Sequence, residues 1–260
     1  MTPPDPAAAN SWRSYLDWFH NQRPGITEDI LDAAVADSTG MTPYRWLIDA
    51  APPAELALDL ACGSAPLQLI DTDRRWVGID RSGSELSVAA IREPTRLVQG
   101  EAGSLPFCDN SFGLVICSMA LMLFDDVGQA LAEIRRVLAP GGTAIFLVPG
   151  STPLSARDRI RYIRVLFAFR QLSPAYPNHA HIGPLSKRLA RAGLQVTEDD
   201  RLCFHYPISD ATAGRRFIES LYAPGCPERR VESAVRLTLP WVGSEIGVPL
   251  RRLVCIRKAM

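Results

Sequence analysis

The stretch Leu56-Ala57-Leu58-Asp59-Leu60-Ala61-Cys62-Gly63-Ser64-Ala65-Pro66 decides the fold. It reads as a short apolar strand with an acid near its end, a tight turn holding one glycine, and a helix start. The strand lacks polar alternation, so it belongs inside a parallel sheet covered on both faces. At the carboxyl end of such a strand, backbone N–H groups of the turn and the next helix open onto a crevice. Nucleotide-like ligands bind there.

Trp76-Val77-Gly78-Ile79-Asp80 reads as a second strand ending in an acid. Its carboxylate can accept both hydroxyls of a ribose held across the crevice. That acid alone does not choose the ligand, but the first turn does. A dinucleotide turn needs G-x-G-x-x-G so that the backbone can approach a pyrophosphate. Here Gly63 stands alone among Ala61, Ala65 and Pro66. A small amino-acid moiety fits better over such a turn, with Asp59 placed to accept from its ammonium group. Asp59 could instead cap the following helix, and Asp80 could be a plain turn acid.

Three segments then carry a resemblance. Asp59-Leu60-Ala61-Cys62-Gly63-Ser64 resembles the first motif of class I S-adenosylmethionine-dependent methyltransferases. Gly100-Glu101-Ala102-Gly103-Ser104-Leu105-Pro106-Phe107 is similar to their GDAxxLPF segment, and Arg136-Val137-Leu138-Ala139-Pro140-Gly141-Gly142 to their RVLxPGG segment. The resemblance covers about residues 55–150 and implies S-adenosylmethionine as cofactor. It places Asp59, Ala61 and Gly63 at the methionine end and Asp80, with Arg81 beside it, at the ribose. Glu101 and Ala102 fall at the adenine, and Ser118 follows at the end of the fourth strand. Two departures stand out. Ala65 and Pro66 replace later glycines, which requires a negative φ there. Glu101 replaces the usual aspartate, which shifts weight onto the Ala102 N–H.

From Glu55 the chain alternates strand (55–60, 75–79, 95–99, 112–118, 143–148) and helix (66–72, 83–93, 126–138). Ser82 with Glu85 and Asp126 with Gln129 make capping boxes. Later come a helix near 154–171 with Ile160, Ile163, Leu166 and Phe167 on one face, a short helix at 184–192, and strands at 194–206 and 248–257. The expected fold is α/β: a Rossmann-like, seven-stranded, mostly parallel sheet with an antiparallel last strand and helices on both faces. Residues 1–53 form a helical extension and candidate lid. Residues 54–260 form the cofactor-binding domain, with a helical insertion at about 210–240.

Composition is that of an ordinary globular protein, 47% hydrophobic and 22% charged. Basic and acidic residues balance at 28 each, which argues against a nucleic-acid partner, although a local basic patch could lie in Arg157–Arg170. The six cysteines are dispersed, which reads as buried free thiols rather than a metal site. No apolar run approaches the roughly 18 residues that span a membrane. We therefore expect a cytoplasmic monomer or homodimer with a small-molecule substrate and neither a nucleic-acid nor a membrane partner.

On the acceptor side, His20 and His179 are candidate general bases, since histidine titrates near neutrality. Trp18, Met119 and Met122 are candidate lining of the substrate pocket. Each also has a plain reading, as a surface histidine or as core filler. The expected activity is methyl transfer to a small organic molecule, with specialised metabolism as its setting. Two alternatives stay open: a cyclase or pericyclase-like enzyme that keeps the cofactor but transfers no methyl group, and a nucleic-acid or protein methyltransferase.

Overall fold

The structure is a computed structural model that describes residues 11–36, 39–92, 96–174, 176–178 and 184–258. Seven strands form one sheet: β1 (Ala57–Leu60), β2 (Trp76–Asp80), β3 (Leu97–Gln99), β4 (Phe112–Ser118), β5 (Leu138–Pro149), β6 (Leu194–Ile208) and β7 (Ser244–Arg257). Their order is β3-β2-β1-β4-β5-β7-β6. β1 pairs in parallel with β2 and β4, so the opening strand is central, as its composition requires. Only β7 runs against its neighbours, pairing antiparallel with both β5 and β6.

The period of two along β4 divides the core. Leu114 and Ile116 face a cluster built with α2 (Ile26–Ala33), α3 (Pro43–Asp49), α7 (Ala156–Phe169), α9 (Ala211–Glu219) and α10 (Glu228–Thr238). Val115 and Cys117 face the opposite cluster, covered by α6 (Val127–Val137) and α8 (Leu185–Arg191). α4 (Pro66–Ile70) and α5 (Gly83–Ile91) follow β1 and β2.

The N-terminal helices pack on this sheet. α1 (Ser11–Gln22) buries Tyr15, Leu16 and Phe19. The Tyr15 hydroxyl accepts a hydrogen bond from Ala223 N–H at 2.7 Å, joining α1 to the insertion between β6 and β7. Val35 and His205 exchange backbone hydrogen bonds of 3.2 and 2.7 Å, tying the segment after α2 to β6. Helix α2 starts at Ile26, with Gly25 in the cap position at φ of 79°.

The face of α7 carrying Ile160, Ile163 and Phe167 is exposed, and the buried residues are Asp158, Arg161, Val165 and Phe169. β7 is an interior strand, and Arg251, Arg252 and Arg257 on it are all buried. Arg251 and Arg252 are buried and neutralised by an acid run on β6: Arg251 meets Asp199, and Arg252 meets Glu198 and Asp200 at 3.1 and 2.9 Å.

Candidate functional site

β1 leads into a turn whose residues Ala61, Gly63 and Ala65 have φ of 55°, 52° and 58°. The expectation of a negative φ at Ala65 is thus wrong. An L-residue there costs about 1 kcal/mol, because Cβ crowds the next carbonyl. The turn is fixed by Ala65 N–H donating to Cys62 O at 2.8 Å, and it starts α4 with Pro66 at the first helical position.

Above this turn lies a cavity of about 310 Å³. It collects Asp59, Ala61, Gly63, Asp80, Arg81, Glu101, Ala102 and Ser118, so every residue that the resemblance assigned to the cofactor lines one space. Asp80 accepts from Gly63 N–H at 2.9 Å through one oxygen and from Ser82 N–H at 2.8 Å through the other. Each oxygen keeps a lone pair for a further donor. Burial pushes the Asp80 carboxyl up from the usual range, and those two N–H donors pull against it. Asp59 is buried, its Oδ2 has no partner, and it does not cap α4, whose N-cap is Ala65. Burial, and then the neighbouring charges of Asp80 and Glu28, hold its carboxyl well above the usual range. Ser118 Oγ is also buried without a partner. Glu101 stands at the rim, paired with Arg13 of α1 and 3.9 Å from Arg81, which itself meets Asp17 at 2.8 Å.

The N-terminal helices close this cavity with Arg13, Leu16, Asp17, His20, Thr27 and Glu28. They are held down by Glu85 of α5. Its carboxylate meets His20 Nδ1 at 2.7 Å and accepts from Gly25 N–H at 2.9 Å. Burial alone would lower the His20 pKa, but the bond to Glu85 and its charge outweigh that and raise it. The capping box read at Ser82 is therefore half right. Ser82 Oγ accepts from Glu85 N–H at 3.3 Å, while the glutamate side chain leaves its own helix to reach His20 and Gly25. Glu28 reaches over the glycine turn, where a Cβ at position 63 would collide with its Oε1. Burial, and then the Glu85 charge, push Glu28 up to about 8.

A second cavity, of about 820 Å³, adjoins the first. Both are lined by Thr27, Met119 and Tyr222. Beyond that shared boundary the second is walled by Ile30, Leu31, Met122, Tyr162, Val165, Leu166, Phe169, Tyr176, Phe217 and Leu250. Met119 and Met122, read as candidate pocket lining, both line this second cavity. His20, read as a candidate general base, lines the first cavity and not the second, with Nδ1 engaged by Glu85. Trp18 lines neither cavity and packs between Tyr15 and Arg23, with ring distances of 5.9 and 5.6 Å. His179 lies outside the described residues. Sequence reasoning missed Thr27, Glu28, Glu85 and Tyr222. Only Glu85 left a signal, as an acid three residues after a helix cap.

Among the described residues, no group of three or more His, Cys, Asp or Glu side chains could hold a metal ion. No helix is long and apolar enough to cross a membrane.

Residues 58–146 match a family model described as a methyltransferase domain. This stretch is similar to methyltransferase domains. The matched segment runs from β1 through β5 and so includes the glycine turn, Asp80 and Ser118. Across 181 residues the chain is 28% identical to the 2-phytyl-1,4-naphtoquinone methyltransferase of Synechocystis sp., covering 62% of this chain and 76% of that protein. Across 167 residues it is 35% identical to the demethylmenaquinone methyltransferase of Renibacterium salmoninarum, covering 61% and 66%. Alignments with two malonyl-acyl-carrier-protein O-methyltransferases span only 36% and 48% of those proteins. The 4+2 cyclase SpnF superposes over 100% of both chains, with a TM-score of 0.64 and 15% identity, a likeness of fold. The matched residues supply most of the lining of the first cavity, and Arg13, Leu16, Asp17, His20, Thr27, Glu28, Tyr44 and Tyr222 complete it. Much of the second is built from α2, α7, α9 and β7, which lie outside the matched residues.

Proposed function

We propose that the chain is an S-adenosylmethionine-dependent methyltransferase acting on a small, largely apolar organic molecule. The observation that carries this reading is the meeting of two cavities at Thr27, Met119 and Tyr222. One has the polar groups of a nucleoside and amino-acid site. The other is larger and apolar.

The residues present fit this cofactor. Asp80 has free acceptor capacity for two ribose hydroxyls. Asp59 Oδ2 and Ser118 Oγ are buried polar atoms still needing a partner, and an ammonium group suits the acid. The acids Glu28, Asp59, Asp80 and Glu85 favour a ligand carrying positive charge. When bound, the cofactor supplies an activated sulfonium methyl group.

The chain's own task is alignment and exclusion of water. α1 and α2 cover the first cavity, and Glu85 fixes them in place. Tyr222 and Met119 form the boundary across which donor and acceptor face each other. Two relatives are named for quinone methylation, and a ring of that kind suits the aromatic and aliphatic walls of the second cavity.

Calorimetry with S-adenosylmethionine tests the cofactor assignment. Wild type should bind, and Asp80→Ala should bind at least tenfold more weakly through loss of charge-assisted hydrogen bonds. Unchanged affinity removes Asp80 from the ribose, and no binding by wild type ends the reading. Incubation with cofactor bearing a tritium-labelled methyl group and a panel of apolar phenols and quinols should give labelled product. Turnover without label would instead favour the cyclase alternative.

A further inference from the structure

α7 turns an apolar face outward. Ile160 and Ile163 are each 59% exposed and Phe167 is 83% exposed, while Leu172, just beyond the helix, is fully exposed. At about 100° per residue, Ile160, Ile163 and Phe167 fall within about 60° of one another. Arg159 and Arg170 flank this stripe on one side, and Arg157 and Arg164 on the other. Among the described residues, Arg159, Arg164 and Arg170 have no carboxylate partner, and the only acid of the helix, Asp158, is buried. The chain as a whole is neutral, so this cationic rim is local.

The opposite face explains why the stripe is not spare core. Asp158, Arg161, Val165 and Phe169 point inward. Arg161 is bound to Asp158 at 3.1 Å and to Glu245 O at 2.7 Å, and its guanidinium lies 4.9 Å from the Trp241 ring centroid. This fixes the rotation of the helix. Exposing clustered large apolar side chains is unfavourable in a free monomer and marks an interaction surface.

We propose that α7 is a docking surface for anionic phospholipid bilayers. An apolar stripe bordered by arginines is the pattern of a helix lying in the headgroup region, with its apolar side chains dipped into the acyl boundary and the guanidinium groups at the phosphates. A nucleic-acid backbone would use the arginines and leave Ile160, Ile163 and Phe167 in water. This departs from the expectation of no membrane partner, which rested on the lack of a spanning segment. A surface-lying helix needs none.

The stripe is continuous with the second cavity. Arg159, Ile163, Leu166, Gln171 and Pro174 line that cavity. Docking therefore sets the cavity mouth against the bilayer, and a lipid-dissolved acceptor can enter without crossing water. This delivery step rests on the acceptor-cavity reading above, whereas the docking does not.

The test is co-sedimentation of the full chain with vesicles of phosphatidylcholine alone, or with about one third phosphatidylglycerol. Binding is expected to the anionic vesicles and to fall with added salt. Ile160→Ser/Ile163→Ser/Phe167→Ser should abolish it. Arg159→Gln/Arg164→Gln/Arg170→Gln should lower partitioning by about a hundredfold. All six side chains are exposed, and unchanged melting and cofactor affinity would report an intact fold. No vesicle binding by wild type, equal binding by either variant, or patch-dependent self-association without vesicle binding would overturn the proposal. If docking holds but no labelled methyl reaches any acceptor, the functional reading fails and the surface stands.

Discussion

Glu28 shows how one side chain can make ligand affinity depend on pH. In the folded protein its carboxyl holds a proton up to about 8, against an ordinary value of 4.5. Ionising it in place costs folding free energy. This group's contribution to stability is therefore most favourable below 4.5 and declines as pH rises to about 8. A cationic ligand over Gly63 reverses the preference, because the ionised carboxylate is then paired. Affinity for S-adenosylmethionine is expected to rise between about pH 6 and pH 8, by as much as tenfold per unit. In Glu28→Gln the slope should flatten, and calorimetry across that range checks it. An equal slope in the variant would assign the effect to another group.

At the scale of elements, β7 carries charge where an interior strand ordinarily carries none. Arg252 donates to Trp46 O at 2.7 Å, lies 4.5 Å from the Trp46 ring centroid, and pairs with two acids of β6. It thus couples the sheet to α3. Arg252→Met keeps the length and removes these bonds. Glu198 and Asp200 are half exposed and can return to water, so the cost should be about 2 kcal/mol rather than that of a stranded buried charge. Urea unfolding measures it, and a loss below a few tenths of a kcal/mol would make the cluster incidental.

This scale also separates what could be read from sequence. β1, β2 and β4 announced themselves through unbroken apolar runs, and the cofactor-side residues through turns local to those strands. For α7 the sequence groups Ile160, Ile163, Leu166 and Phe167 on one face without telling which way that face turns. Both of its faces carry large apolar residues, and only the long-range partners of Arg161, namely Ser244, Glu245 and Trp241, decide which turns inward. The second cavity was hidden for the same reason. Its walls come from segments as far apart as Thr27 and Arg251, and no local pattern records their meeting.

Across the whole molecule, the N-terminal helices are joined to the rest by contacts that include Glu85 to His20 and Gly25, Arg13 to Glu101, Asp17 to Arg81, Tyr15 to Ala223 and the Val35–His205 pair, and by Ile30, Leu31 and Ala34 packed in the core. Burial in such a protein is compatible with local opening at a small fraction of the global unfolding free energy. Hydrogen exchange should show residues 11–36 opening before the sheet and gaining most protection when cofactor binds. Glu85→Ala should speed exchange in that segment alone, since it strands Gly25 N–H and frees His20. Uniform acceleration over the sheet would mean that the lid and core are a single cooperative unit.

The reversed strand also sets a timetable for biosynthesis. β7 is the last strand in sequence, yet it lies between β5 and β6. A nascent chain that has completed β5 cannot borrow β6 as a neighbour, so an apolar edge waits on the ribosome until residues 244–257 have been made. At about 5–20 residues per second, that wait lasts roughly 5–20 s. During it residues 58–146 are already synthesised, but their sheet is open on one side and exposed to chaperones or to a neighbouring nascent chain.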